Sequence, residues 1–468
     1  MSEELTTLSA SRLAELMRRR EVSPVEVAGA YLRRVETHNP ALNAVVTVAA
    51  DALERAREAE AALMRGETTG ALHGVPLTIK DTFDVRGVRS TCGSRVRAEF
   101  VPTEDAQAVG RLRAAGAVIL GKTNCPEFAL DYTSENPVFG RTLNPHDHTR
   151  TPGGSSGGCA AAVAACLTPA SLGSDLAGSV RIPAHFCGVA ALRPTAGRVH
   201  GGGHLPPVSG PHALGAGLGP IARNVADLEL LFGVLSASRE GEASLGGVRV
   251  AWYADDGNVA VTEETAVAVR EAARALEASG LEVFEERPPG VERATDLWLP
   301  LFEHATQRFV LSTYTGREED AGRAARVIME RAARWGEPTL GHFLGAWEER
   351  DRVRARLLNW MERTPLFVAP VGAVPAFRHE EYGRVEVDGR AVPTFRAFGY
   401  AHAANVFDLP AACVPAGRTR EGLPVGVQIV GRPFEERRVL AAARVLEEAL
   451  GGWQPPRENF SQPSPNPL

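Results

Sequence analysis

Nowhere in these 468 residues do about twenty apolar residues run unbroken, so no segment is expected to span a membrane. Cysteine is scarce. The six residues Cys92, Cys125, Cys159, Cys166, Cys187 and Cys413 form no CxxC pair, which argues against a disulfide framework or a thiolate zinc ribbon. Free buried thiols in a reducing compartment are the simpler expectation. A basic surplus is also missing. Net charge is −6, so no global field awaits nucleic acid, and Arg18-Arg19-Arg20 reads as a solvated helix end. His, Cys, Asp and Glu nowhere cluster at metal-ligand spacing, so no cofactor is called for. The opening run MSEELTTLSASRLAEL has no charged stretch followed by an apolar one, so no signal peptide is expected. These absences together predict a soluble cytoplasmic protein.

The 44% hydrophobic and 23% charged composition is that of an ordinary globular chain. The first 65 or so residues read as helices: Ser23-Pro24-Val25-Glu26 combines a capping serine, a first-turn proline and a glutamate that reaches back. Another helix is expected over Ala49–Met64. From Gly74 onward, short apolar runs such as Val75–Ile79 and Ala117–Leu120 alternate with helical patterns such as Glu104–Ala115. Further strands are expected near Val248–Trp252, Leu281–Glu285, Leu366–Ala369 and Val425–Val430, with helices near Val225–Leu235, Glu263–Ser279 and Phe434–Leu450. Strands alternating with helices predict an α/β layer structure. Residues 290–365 look mainly helical, as a covering region would, and residues 456–468 are a Pro-rich tail with little to bury.

Two motifs mislead. Gly116-Ala-Val-Ile-Leu-Gly121-Lys122-Thr123 matches the phosphate-loop pattern letter for letter. Such a loop needs flexible residues whose N–H groups curl round an anion, whereas Ala, Val, Ile and Leu read as a buried strand. Gly153-Gly154-Ser155-Ser156-Gly157 likewise matches GxSxG, the nucleophile elbow. An elbow requires a strand before its serine, and the polar stretch Asn144–Pro152 precedes this one.

Three other segments carry the chemistry. In Gly74-Val75-Pro76-Leu77-Thr78-Ile79-Lys80-Asp81 a lysine closes an apolar run; it is either a solvated strand end or a desolvated amine able to act as a base. Pro152-Gly153-Gly154-Ser155-Ser156-Gly157-Gly158 leads straight into the Ala-rich helix Cys159–Leu167, an unusual place for a flexible linker. Gly173-Ser174-Asp175-Leu176-Ala177-Gly178-Ser179-Val180-Arg181-Ile182-Pro183-Ala184 sets small residues before a serine. There, successive N–H groups either converge as an oxyanion hole or form a tight turn with a capping serine.

Taken together, these segments resemble the amidase signature family, with high specificity from Gly74 to Thr195 and more loosely elsewhere, as in Gly422-Leu423-Pro424-Val425-Gly426-Val427-Gln428-Ile429-Val430-Gly431-Arg432-Pro433. The separations of Lys80, Ser155 and Ser179 also fit. The resemblance implies one large α/β/α sandwich around a mixed β-sheet, as a single domain over residues 1–455. Within it lie a helical N-terminal region over residues 1–70, a signature core over 71–200 and the covering region at about 290–365. It implies Ser179 as nucleophile, Ser155 as a bridging serine after a cis Gly154 peptide, and Lys80 as the base acting through Ser155. It also implies an oxyanion hole from the backbone N–H groups of Leu176, Ala177, Gly178 and Ser179. Asp175 and Arg181 are either partners behind the site or a structural ion pair. Two positions depart from the family. Ala177 stands where glycine is common, and His185 stands where a small or apolar residue is expected; it reads as a packing or surface residue rather than a catalytic one, since the family uses no catalytic histidine.

The expected function is hydrolysis of a carboxamide C–N bond through a Ser179 acyl-enzyme, giving a carboxylic acid and ammonia or an amine. The expected ligand is a small-molecule amide, with no nucleic acid, no membrane and no cofactor; the oligomeric state is open, with a homodimer as one option. The alternative is the amidase (A) subunit of a glutamyl- or aspartyl-tRNA amidotransferase. The run Gly201-Gly-Gly-His-Leu-Pro-Pro-Val-Ser-Gly-Pro-His, which lacks the Ser-Ser-Leu-Asp-Gln expected of such subunits, speaks against that alternative. Loops at Thr91–Ser94 and Leu130–Asn136 and the segment 290–350 are expected to shape the pocket.

Overall fold

A computed structural model describes residues 2–67, 70–237, 241 and 243–457. The Pro-rich tail expected at 456–468 therefore lies outside the described residues from 458 on.

The apolar runs assemble into one eleven-stranded mixed sheet. In chain order its strands are β1 (Val45–Val48), β2 (Pro76–Lys80), β3 (Val118–Thr123), β4 (Ala170–Asp175), β5 (Ala190–Arg193), β6 (Gly217–Ala222), β7 (Arg249–Trp252), β8 (Glu282–Glu285), β9 (Leu366–Pro370), β10 (Ala411–Arg418) and β11 (Pro424–Gly431). Across the sheet they run β1-β3-β2-β4-β6-β5-β10-β11-β9-β7-β8. β3, β2 and β4 are parallel, as are β9, β7 and β8, while the middle of the sheet is antiparallel.

Strand alternation divides the core in two. Leu77, Ile79, Leu172, Val427 and Ile429 face one side, packed by helices that include Ala10–Arg18, Val225–Ser236 and Glu436–Leu450. Phe367, Ala369 and Val430 face the other, packed by helices Gly157–Ala164 and Arg181–Cys187 and by the cover. The cover comprises helices Ala294–Trp298, His304–Tyr314, Arg323–Trp335 and Leu340–Met361. The expected α/β/α arrangement is therefore present.

The helix from Pro24 starts as its sequence predicts, with Ser23 and Glu26 forming a capping box. One expectation needs correction. The first 65 residues are not all helical, because β-branched Val45–Val48 pairs antiparallel with β3 as the sheet's edge strand. The Gly/Ser/Ala-rich region Pro152–Gly178 contains β4, a strand that its composition does not announce. All six cysteines are free and buried. Among the described residues, no helix is long and apolar enough to cross a membrane.

Candidate active site

Lys80 ends β2 and is wholly buried. Its Nζ lies 2.6 Å from Ser155 Oγ and 3.0 Å from Ser174 Oγ. Burial is the largest influence on this amine and pushes its pKa down, against weaker upward pulls from Cys125, Cys159 and Asp175. The choice left open by the sequence thus falls to the desolvated amine.

Ser155 follows a cis Gly154–Ser155 peptide. Gly154 has no room for a side chain, since a Cβ would lie 2.4 Å from Thr133 O and 2.6 Å from Asp131 O. One residue on, the Ser156 N–H donates to Ser179 O at 3.1 Å and ties the two serine segments together. Helix Gly157–Ala164 begins immediately afterwards. No strand precedes Ser155, and Val118–Thr123 is a buried strand, so neither misleading motif has the local structure it would need.

Ser179 stands between β4 and helix Arg181–Cys187, in a turn braced from within. Asp175 Oδ1 accepts from the Gly178 N–H at 2.8 Å, and Oδ2 accepts from the Val180 N–H at 3.1 Å. Arg181 grips both oxygens, at 3.0 and 3.1 Å, and also donates to Gln428 Oε1, Asn405 Oδ1 and Ala401 O. Burial alone would raise the Asp175 pKa. The Arg181 charge and its hydrogen bonds outweigh that and hold the carboxyl well below its usual range. Gly178 takes φ +94° and could not be replaced, because a Cβ would lie 2.7 Å from Ala401 Cβ.

Of the four N–H groups expected to form an oxyanion hole, that of Gly178 is therefore committed to Asp175. Among the described residues, those of Leu176, Ala177 and Ser179 make no hydrogen bond within the chain. Ala177 needs no left-handed backbone, and its methyl borders the cavity. His185 is packing: Nδ1 accepts from the Gly426 N–H at 2.7 Å, Nε2–H donates to Val374 O at 3.1 Å, and burial pushes its pKa down to about 4.

Ser155, Ser174 and Ser179 lie in the floor of a cavity of about 280 Å³. Tyr132, Trp298, Phe377 and Phe395 form much of its wall. Trp298 Nε1–H donates to Leu176 O at 2.8 Å, linking the cover to the Ser179 turn. Of the expected segments, Leu130–Asn136 lines the cavity through Leu130–Thr133 but not through Ser134–Asn136, and 290–350 lines it through residues between Trp298 and Arg331. Thr91–Ser94 does not; it lies behind the wall, where Cys92 O accepts from the Phe128 N–H at 2.8 Å.

Sequence reasoning missed three contributions. Ser174 gave no signal beyond its place in the Gly-Ser-Asp run. His204, Pro206, Pro207 and Val208 line the cavity from a stretch whose sequence bears only on the tRNA-linked reading. The wall at Phe377–Phe395 comes from a region with no motif at all.

Comparison with known proteins is consistent along the chain. Residues 26–440 match the family model described as Amidase. The A subunit of the glutamyl-tRNA(Gln) amidotransferase from Moorella thermoacetica is 34% identical over 484 residues, covering 95% of this chain and 97% of that protein. A solved amidase structure superposes with TM-score 0.87 at 29% identity, covering 95% of this chain and all of the other (100%). A 6-aminohexanoate cyclic dimer hydrolase, solved with its substrate, superposes with TM-score 0.85 at 31% identity, covering 97% of this chain and 99% of the other.

Proposed function

The chain belongs to the amidase signature family and is an amidase-type enzyme acting on C–N bonds; on that premise we propose that Ser179 is its nucleophile. In the first step Ser179 Oγ bonds to the amide carbonyl carbon. Its proton passes to Ser155 while the Ser155 proton passes to neutral Lys80. The N–H groups of Leu176, Ala177 and Ser179 take the developing oxyanion. The C–N bond then breaks, and the leaving nitrogen receives a proton back along the same route. In the second step water attacks the ester, the carbonyl carbon–Oγ bond breaks, and Ser179 recovers its proton. Asp175 and Arg181 hold the turn. The observation that carries this reading is the wholly buried Lys80 amine, 2.6 Å from Ser155 Oγ beneath the cavity that Ser179 lines.

Two settings suit this chemistry. Sequence similarity favours the amidotransferase subunit, the alternative at the sequence level, over the free-standing amidase, because the Moorella relative is 34% identical against 29% and 31% for the two solved structures, at similar coverage. In that setting the amide is that of glutamine, and the ammonia serves a partner protein. A free-standing amidase has one structural observation in its favour: the aromatic wall of Tyr132, Trp298, Phe377 and Phe395 suits an apolar acyl group. We also take residues 1–455 as one domain of a cytoplasmic protein.

The experiment is hydrolysis of glutamine, with and without the remaining amidotransferase subunits, beside a panel of aryl and alkyl amides, by wild type and Ser179→Ala. Glutamine turnover that needs the other subunits supports the first setting; turnover of apolar amides by the chain alone supports the second. Activity that persists in Ser179→Ala refutes the nucleophile in both.

A further inference from the structure

Lys122, in the run that mimics a phosphate loop, has a place in the fold that the reaction scheme leaves unused. Pairing of β2 with β3 slips by one residue between Leu77 and Thr78, which sets Lys122 beside Ile79 and Thr123 beside Lys80. A one-residue slip changes the face on which each later side chain points. Lys122 consequently shares the face of Ile79 and Asp81, opposite to Lys80. Gly121 makes room for this arrangement, because a Cβ there would lie 2.1 Å from Thr47 O.

Lys122 is wholly buried, as Lys80 is. Unlike Lys80, it has a carboxylate partner. Its Nζ donates to Asp81 Oδ1 at 3.1 Å, to Phe83 O at 2.6 Å and to Ser90 Oγ at 2.8 Å. Asp81 also accepts from Thr91 Oγ1 at 2.6 Å and from the Thr91 N–H at 3.1 Å. One ammonium and one carboxylate thus join the end of β2 to the chain at 83 and at 90–91.

We infer that the Lys122–Asp81 pair is a positioning element for the reaction, clamping the end of β2 so that Lys80 keeps its amine against Ser155. A buried ion pair is usually no more stabilising than well-packed apolar residues, so stability alone gives weak grounds for one here. Alignment gives better grounds. Asp81 is bonded directly to Lys80, and a misplacement of about 1 Å at a reacting group can cost about a hundredfold in rate. The inference rests on Lys80 as the base; amide turnover that survives Lys80→Met would sink that assignment, not the clamp.

The test separates stability from alignment. Asp81→Asn and Lys122→Met each leave the other partner unmatched and are expected to lower Tm. The double variant Asp81→Asn/Lys122→Met removes both charges and is expected to recover Tm to within a few degrees of wild type. The probes are an acyl p-nitroanilide and the p-nitrophenyl ester of the same acid. In the double variant, kcat for the anilide should remain about 10- to 100-fold down with KM within about twofold. The ester should lose less, because its leaving group departs without a proton. Ser90→Ala, which removes one Lys122 acceptor and strands no charge, should show the same anilide–ester split on a smaller scale, and it serves if the double variant does not fold. Wild-type kcat in the double variant, or equal losses for anilide and ester in either variant, would overturn the inference.

Discussion

Below the cavity, the side chains that matter are buried and bonded to distant parts of the sheet; above it, the cover helices His304–Tyr314 and Arg323–Trp335 are bound more lightly. Arg181 alone joins Asp175, Ala401, Asn405 and Gln428 and is wholly buried. The cover leaves Trp335 50% and Leu340 71% exposed. Its helices Ala294–Trp298 and Leu340–Met361 join the second large core through Leu297, Val353 and Leu357, whereas helices His304–Tyr314 and Arg323–Trp335 meet the rest through a small separate core around Phe128, Val310, Tyr314 and Ile328. Groups that must hold a reacting geometry are fixed by many bonds, and groups that only shape a wall are fixed by few. Changes below should therefore cost reaction or fold, and changes above should alter preference.

The largest effect should follow Ser179→Ala. Loss of the proposed nucleophile should lower kcat by about 10⁴- to 10⁶-fold, with Tm nearly unchanged because only an oxygen is removed. A modest rate loss in steady-state assays would break the comparison at its base. Next is Arg181→Met, which strands the buried Asp175 carboxylate. Urea unfolding should show a loss of about 3–5 kcal/mol, as for other broken buried pairs. A loss below about 1 kcal/mol, the scale of an exposed pair, would mean that the floor is no more tightly held than the cover.

The pH response sharpens the contrast. The proposed base, Lys80, has to act as the neutral amine, and burial pushes its pKa down from the usual lysine range, so kcat/KM should rise with pH and level off below the ordinary lysine value. A profile flat from about pH 5 to 9, with chemistry rate-limiting, would remove Lys80 as base. Stability should fail in the acid direction. Burial holds His185 and His146 near about 4. Unfolded histidine, near about 6.5, binds protons that these folded residues refuse, so stability is full above about pH 6.5 and is lost as pH falls toward 4. Scans of Tm against pH test this. A Tm that does not fall between about pH 6.5 and 4 would contradict it.

How much of this could be read in advance differs by region for physical reasons. Lys80, Ser155 and Ser179, which the structure brings to one place, were picked out because their glycine- and serine-rich segments together resemble a known family. β4 and β6 were not legible, since Ala-Ser-Leu-Gly-Ser-Asp and Gly-Leu-Gly-Pro-Ile-Ala hold between them a single β-branched residue, Ile221, of the kind that marks strands. They sit mid-sheet where neighbouring backbone leaves no space: a Cβ on Gly219 would lie 1.8 Å from Leu192 O. Ser174 meets Lys80 only because β4 pairs with β2, a contact 94 positions apart in the chain. The edge strand Val45–Val48 carried the right residues but lay between two strong helical patterns.

The smallest expected effect belongs to the cover and tests the comparison most sharply. Ile328 lines the cavity from helix Arg323–Trp335 and packs in the small core beneath the cover. Ile328→Ala enlarges the wall without touching any group that moves a proton. Over a series of amides with acyl groups of increasing bulk, kcat/KM should shift toward the larger members by about 10-fold, the scale of a few methylenes in an apolar pocket. The rate of Ser179 labelling by a small fluorophosphonate should stay within about twofold of wild type, since the floor is unchanged. If labelling slows as much as amide turnover does, wall and floor are mechanically coupled. Ile328 would then belong with the residues that hold the reacting geometry, and the division between the two regions would have to be drawn further out.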